Sequence, residues 1–345
     1  MKTRIPGVCR SFVEPVCIGA ILLLAGSASA QNLFVSDWGV NKIYVVQTTG
    51  GTNSTFASGL DNPHFLAFNS VGDLFEADSD SGSIYKFALG GAKSTFASGL
   101  NDPTGLAFDS AGNLFVANAG NGYITKITPA GVQSTFATGL MFGSSGPNGL
   151  AFDTAGDLFV ANSASSLGAG QGSITKITPG GVQSTFASGL STPDGLAFNN
   201  AGDLFEADNA TGTVYEFTPD GARSTFASGL VYPTGLTFNS AGDLFVRNGH
   251  SIIEITPTGA QSTVATGFGT AEGLAFQPVP DLATMVTNGV FQVTVSMPSP
   301  YYSTIVQAST NLVNWVNIYT NTPPFTFAES STVAGPHFYR ALLGP

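Results

Sequence analysis

The stretch Ser54-Thr-Phe-Ala-Ser-Gly-Leu60 decides the reading of this chain, because it keeps returning. It recurs from Ser94, from Ser134 (with Thr138 for the second serine), from Ser184 and from Ser224, and a worn sixth copy runs from Ser262 to Phe268. The spacings are 40, 40, 50, 40 and 38 residues. A period in this range marks a repeat architecture in which each unit is one supersecondary element.

Working outward from one copy, the unit between Pro103 and Leu140 holds four short apolar runs, each closed by a Gly, Pro, Asn or Asp cluster. Strand a is Gly105 to Phe108, strand b Leu114 to Ala117, strand c Ile124 to Ile127 and strand d Ser134 to Ala137. Short, evenly spaced runs rich in Phe, Val, Ile and Thr predict an all-β array, and no segment carries a sustained helical period. Gly112 stands where the a–b hairpin needs a left-handed residue, and Pro129 and Gly131 shape the c–d turn.

Each strand occurs six times, but the a strands are out of phase. The first b, c and d strands, between Asn32 and Ala57, have no a strand before them, and the last a strand, Gly273 to Phe276, has no b strand after it. A radially repeated four-stranded sheet is a propeller blade. The orphan a strand completes the first blade as its innermost strand and closes the ring without a free edge. An open solenoid would need capping repeats with polar outer faces, which the sequence lacks. The expected fold is therefore an all-β, six-bladed β-propeller over residues 31–277. After it come a linker and a small antiparallel β-sandwich over 278–345, suggested by apolar alternation at Val290 to Val295, Thr304 to Ala308 and Phe325 to Phe327.

Residues 1–30 read differently. Lys2, Arg4 and Arg10 precede an apolar run from Val16 to Gly26, and Ala28-Ser-Ala30 follows as a cleavage signal. This reads as a secretory signal peptide, with an apolar core short of the ~20 residues that span a bilayer. The expected location is the secreted, periplasmic or cell-surface space, with no transmembrane segment in the mature chain. Both cysteines, Cys9 and Cys17, fall in this segment, so thiol catalysis is excluded for the mature protein. Removing it leaves eight Lys and Arg against 21 Asp and Glu, a net charge of −13. Such a surface repels nucleic acid and anionic membranes. A small molecule or an extracellular macromolecule is the partner expected, and a monomer the expected state.

The Pro-x-Gly-Leu-Ala-Phe and Ala-Gly-Asp/Asn-Leu-Phe-Val-Ala-Asn/Asp segments resemble those of NHL-repeat propellers and of the related SMP-30/gluconolactonase-like superfamily, over roughly Asn32 to Gln277. The C-terminal segment is similar to a module found on secreted bacterial proteins with unrelated main domains, which implies attachment or sorting.

The repeat also locates a candidate site. The residue before the strand-a glycine stands at the mouth of the central channel and differs from copy to copy: Glu272, His64 (which precedes Phe65, the only copy without the glycine), Thr104, Asn148, Asp194 and Thr234 in ring order. Oxygen ligands converging on a narrow axis suit Ca²⁺ or Mg²⁺, and with His64 included Mn²⁺ or Zn²⁺. The resemblance implies a divalent metal, Ca²⁺ first, held by Glu272, Asn148 and Asp194, with Thr104 as a weaker fourth ligand. It also implies a lactonase or related hydrolase in which Asp194 is the general base and His64 an acid–base partner. Two insertions, Met141 to Pro147 and a longer b–c loop from Asn162 to Gly172, fall on this same end of the ring. Variable loops on a rigid frame carry function. The leading expectation is accordingly a ligand- or protein-binding scaffold working through the b–c/d–a face. A metal-dependent lactonase and a structural envelope or matrix protein are the alternatives.

Three further features have plain structural readings. Glu76 and Glu206 replace the strand-b valine where strand c offers Tyr85 and Tyr215, which predicts Glu–Tyr cross-strand hydrogen bonds. Asp78, Asp80, Asp208 and Asn209 read as turn formers rather than calcium ligands. His250 reads as a solvated turn residue.

Overall fold

The computed structural model describes residues 31–48, 53–88, 91–140, 146–163 and 170–278 with their side chains, and six strands between 282 and 344 by their backbone. The signal-like segment 1–30 and the inserted residues 141–145 and 164–169 lie outside the described residues.

Six four-stranded antiparallel sheets form the blades, and each inner strand packs on the next around a ring. Blade 1 joins the two ends of the repeat region, with Ala271–Phe276 innermost, followed by Asn32–Asp37, Lys42–Gln47 and Asn53–Ser58. Leu274 pairs with Val35 and Phe276 with Leu33, which is the closure predicted from the orphan strand. The inner strands of blades 2 to 6 are Pro63–Phe68, Pro103–Phe108, Pro147–Phe152, Pro193–Phe198 and Leu236–Phe238. The C-terminal strands form two three-stranded antiparallel sheets, 282–287, 290–295 and 325–330 in one, 303–309, 316–321 and 338–344 in the other.

The recurring stretch earns its invariance in two ways. Its phenylalanine packs edge-on against the strand-b phenylalanine of its own blade, which also meets the strand-a phenylalanine of the next: Phe75 lies 5.0 Å from both Phe96 and Phe108. The arrangement repeats at Phe34, Phe115, Phe159 and Phe205. Each such pair contributes about 0.5–1.5 kcal/mol beyond its area burial. Its glycine has a left-handed φ in every copy, from 71° at Gly59 to 90° at Gly267, where a side chain is strained. Six apolar clusters result, one in each seam between neighbouring blades.

In five blades the last residue of strand b pins the loop that leads to the mouth position. Asp208 accepts from the backbone N–H of Ser191 at 2.7 Å and of Thr192 at 3.3 Å. Asp37 accepts from Gly269 at 2.7 Å and Thr270 at 2.8 Å, and Asp78 from Asp61 at 2.8 Å. These bonds make the aspartates anchors of the d–a loops, and Asp78 and Asp208 also accept from Ser81 and Thr211 in the b–c turns the sequence assigned them to.

Candidate functional site

The mouth is built by a β-bulge. In blades 2 to 5 the a–b pairing slips between the strand-a proline and the leucine three residues on, and in blade 1 it slips at the equivalent place. Two strand-a residues then face one strand-b residue, and a bulge re-aims the side chain it carries. The bulged pairs include His64, Thr104, Asn148, Asp194 and Glu272.

Except at His64, which precedes Phe65, these residues are followed by a glycine that close approach requires. A Cβ on Gly195 would lie 2.5 Å from the carbonyl oxygen of Thr234, and one on Gly273 would lie 2.6 Å from that of His64. Gly105, Gly149 and Gly235 likewise face the carbonyls of Asn148, Asp194 and Glu272. The mouth residues are thus stacked backbone to backbone around the ring, each against the next blade. Two residues beyond each mouth position, Leu66, Leu106, Leu150, Leu196, Leu236 and Leu274 line the channel and give the polar mouth an apolar floor.

The structure brings the predicted residues together in two pairs. His64 Nδ1 donates to Glu272 Oε1 at 2.9 Å. Asn148 Nδ2 donates to Asp194 Oδ1 at 2.8 Å. Thr104 stands apart, its hydroxyl donating to the Pro147 carbonyl at 3.1 Å. Asp194, Glu272, Thr104 and Thr234 are buried. Burial pushes the Asp194 carboxyl well above its ordinary range, and Glu272 adds to the rise against the opposing pull of His64 and Arg247. Burial opposes the His64 imidazolium, but the charge and hydrogen bond of Glu272, helped by Asp102 and Asp194, raise its pKa overall.

Two site residues escaped the repeat reading. Strand b carries alanine at Ala77, Ala117, Ala161 and Ala207, but Ser36 and Arg247 in the blades on either side of Glu272's seam. Ser36 Oγ accepts from Gly273 N–H at 2.8 Å and donates to the His64 carbonyl, tying the two halves of the ion pair through their backbones. Arg247 is 7% exposed, and its charge is felt by both Asp194 and Glu272. Its Nη1 donates to the Tyr232 carbonyl at 2.5 Å. The available signal was the break in the Leu-Phe-Val-Ala-Asn pattern at Leu244–Asn248.

A divalent ion would have to displace His64 from Glu272 and the Asn148 amide from Asp194, in a field that already contains the Arg247 guanidinium. Among the described residues no group of three or more His, Cys, Asp or Glu side chains is arranged to hold a metal. The residues as placed fit a charge-balanced polar mouth better than a cation cage.

One expectation away from the mouth needs correction. Glu76 and Glu206 do pair in register with Tyr85 and Tyr215, but both oxygens of each glutamate are buried without a partner. The tyrosine rings instead lie under strand-d cations, Lys93 Nζ 3.6 Å from the Tyr85 centroid and Arg223 5.0 Å from that of Tyr215. His250 is the exposed turn residue the sequence suggested, with Nδ1 2.9 Å from the Phe268 carbonyl oxygen and 2.8 Å from that of Gly269.

No protein-family model matches the chain, and no curated protein does. Among solved structures, a chain of the nidogen–laminin complex is similar at 21% identity and TM-score 0.63, over 72% of this chain and 98% of that one. A gluconolactonase from Xanthomonas campestris is similar at 16% identity and TM-score 0.57, over 80% and 97%. A virginiamycin B lyase from Staphylococcus aureus is similar at 14% and 0.54, over 78% and 90%. Among the described residues no helix is long and apolar enough to cross a membrane. At these identities the likeness establishes the fold alone: the chain is a six-bladed β-propeller.

Proposed function

We propose that the chain is a ligand-binding propeller that works through its b–c/d–a face, with the channel mouth as the binding centre. In this reading residues 1–30 export it, and the partner is met outside the cell membrane. One observation carries the reading. Three polar atoms at the mouth, Asn148 Oδ1, Thr234 Oγ1 and Arg247 Nε, are buried with no hydrogen-bond partner. Each such atom costs about 1–3 kcal/mol when left unmade. They come from three separate strand ends, above an apolar floor, and together they supply two acceptors and a donor. A ligand that satisfies them recovers that cost.

The test is thermal unfolding of the mature chain against a library of polar small molecules, with the Asp194→Asn/Glu272→Gln double variant alongside. A ligand at 100 times its dissociation constant stabilises by about 2.7 kcal/mol. Compounds that raise the wild-type midpoint and leave the variant unmoved support the mouth as the site. A library that moves both proteins equally, or neither, defeats the reading.

A second reading, a lactonase-type hydrolase, is favoured by Asp194 itself. A buried carboxyl with a raised pKa, within the field of a histidine, suits general acid–base work. Glu272 would fix the His64 ring through Nδ1 and leave Nε2 to exchange a proton at the mouth. Sugar lactones and aryl esters, assayed with Ca²⁺, Mg²⁺, Mn²⁺ and Zn²⁺ in turn, test it. Turnover lost in Asp194→Asn supports hydrolysis, and its absence with every substrate removes it.

A further inference from the structure

Arg247 is out of place in a propeller seam. The same position holds alanine in four blades, and a buried guanidinium is costly unless it is paired. Here the pairing is incomplete. Nη1 serves the Tyr232 carbonyl, Nε has no partner, and among the described residues no carboxylate lies within ion-pair distance. Asp194 and Glu272 act on it only through space.

The carbonyl it holds belongs to a strained residue. Tyr232 has φ 46°, and at the equivalent positions before proline this left-handed backbone is taken by Asn62 and Asp102, which tolerate it better. A bulky side chain in this conformation costs on the order of 1–2 kcal/mol. Strain of this kind gathers at binding sites, where the surroundings over-determine it. Tyr232 is also 65% exposed, two residues ahead of Thr234. Trp38, 42% exposed, bonds its N–H to the carbonyl of Thr270, two residues ahead of Glu272. Two exposed aromatics therefore stand at this end of the ring, Tyr232 on the loop that enters the mouth in blade 6 and Trp38 on the b–c turn of blade 1.

We propose that Arg247 anchors the carboxylate of a small hydroxy acid at the channel mouth, with Tyr232 and Trp38 as an aromatic rim and Asn148, Asp194 and Thr234 receiving the ligand's hydroxyls. The proposal rests on the mouth being a ligand site and names what it takes. The planar guanidinium offers a carboxylate the two-pronged contact that no other side chain gives. The neighbouring groups are mostly acceptors, which suits hydroxyl donors on the rest of the ligand. The ring of leucines beneath the mouth limits how deep it can reach.

The probes are galacturonate, its uncharged methyl ester and galactose, titrated into the mature full-length chain by calorimetry. Arg247→Ala restores the alanine of four other blades, so the fold is kept. Tyr232→Asn gives the residue of blade 2 at a position that favours it. Galacturonate should bind the wild type, and Arg247→Ala should weaken it roughly 10- to 100-fold, as loss of a hydrogen bond to a charged group implies. Tyr232→Asn should weaken it less while leaving the preference for acid over ester intact. Equal binding of acid, ester and galactose, or equal binding of the acid by wild type and Arg247→Ala, overturns the carboxylate anchor while leaving a mouth site standing. No binding of any probe also overturns it, and the wider library then decides the mouth reading separately.

Discussion

His64 and Glu272 are 208 residues apart in the chain and 2.9 Å apart in the fold, Nδ1 to Oε1. The pair spans the seam between the first blade and the second, and Ser36 bonds the backbones beneath it. It forms only because the last strand of the repeat region closes the first blade. Ring closure and mouth chemistry are in this way one event.

The pair sets the first prediction. Burial alone would lower the His64 pKa, and Glu272 outweighs burial through charge and a hydrogen bond. Glu272→Gln removes the charge and leaves the burial. The imidazole titration of His64, followed by NMR, should then move from above 6.5 in the wild type to below it in the variant. An unchanged midpoint would mean that the pair is not maintained in solution.

Glu76 and Glu206 set a second. Their carboxyls are buried without partners, and desolvation, reinforced by Asp78 and Asp208, holds their pKa values well above the ordinary carboxyl range. Such a group keeps its proton in the folded chain after the unfolded chain has lost its own. Stability is therefore full below the unfolded pKa near 4.3 and falls as pH rises toward the folded one. Glu76→Val and Glu206→Val restore the residue of the other blades. Each should stabilise by about 1–3 kcal/mol at about pH 8 and by less at about pH 5. The two sites lie in opposite blades, so their effects should add. Urea titrations at the two pH values check this, and a gain independent of pH would point to packing alone.

How much of this was legible in the sequence follows from what the repeat averages over. The ring, its closure by Ala271–Phe276 and the mouth positions were readable, because six copies present the same pattern and the departures stand out against it. The pairing of those departures was not readable. That His64 meets Glu272, and Asn148 meets Asp194, depends on the bulge and on which carbonyl each glycine faces. Arg247 was a departure in strand b, at a position where the pattern predicts only packing, and its relation to the mouth appears once blade 6 is seen between Asp194 and Glu272. The glutamates were misread because register brought each beside a tyrosine, while the cations of Lys93 and Arg223 hold the rings.

The mouth glycines give a third prediction. Gly195 faces the Thr234 carbonyl across the contact between blades 5 and 6, and backbone on both sides leaves nothing flexible to yield. Gly195→Ala should cost about 1–3 kcal/mol by overpacking. Gly180, in a c–d turn, meets only Thr178 Oγ1 at 3.9 Å, and Gly180→Ala should stay within about 0.5 kcal/mol. Comparable losses at both positions would argue that backbone entropy, not the contact between blades, sets the cost.

Closure itself gives the last. In blade 1 the inner strand comes from one end of the repeat region and the other three from the other end, so the a–b ladder from Leu33–Phe276 to Asp37–Ala271 fastens the ring. It also buries Leu274 in the seam with Phe245 and Phe268. A chain of residues 31–278 keeps that strand; a chain of 31–269 lacks it and bares the inner edge of blade 1. The first should unfold cooperatively in urea. The second should lose the cooperative transition or self-associate through the exposed edge. The blades contact only their neighbours, so the loss should be greatest in blades 1, 2 and 6, and hydrogen exchange read blade by block around the ring would show it. Uniform protection in the shorter chain would mean that five closed blades hold the ring without the fastening.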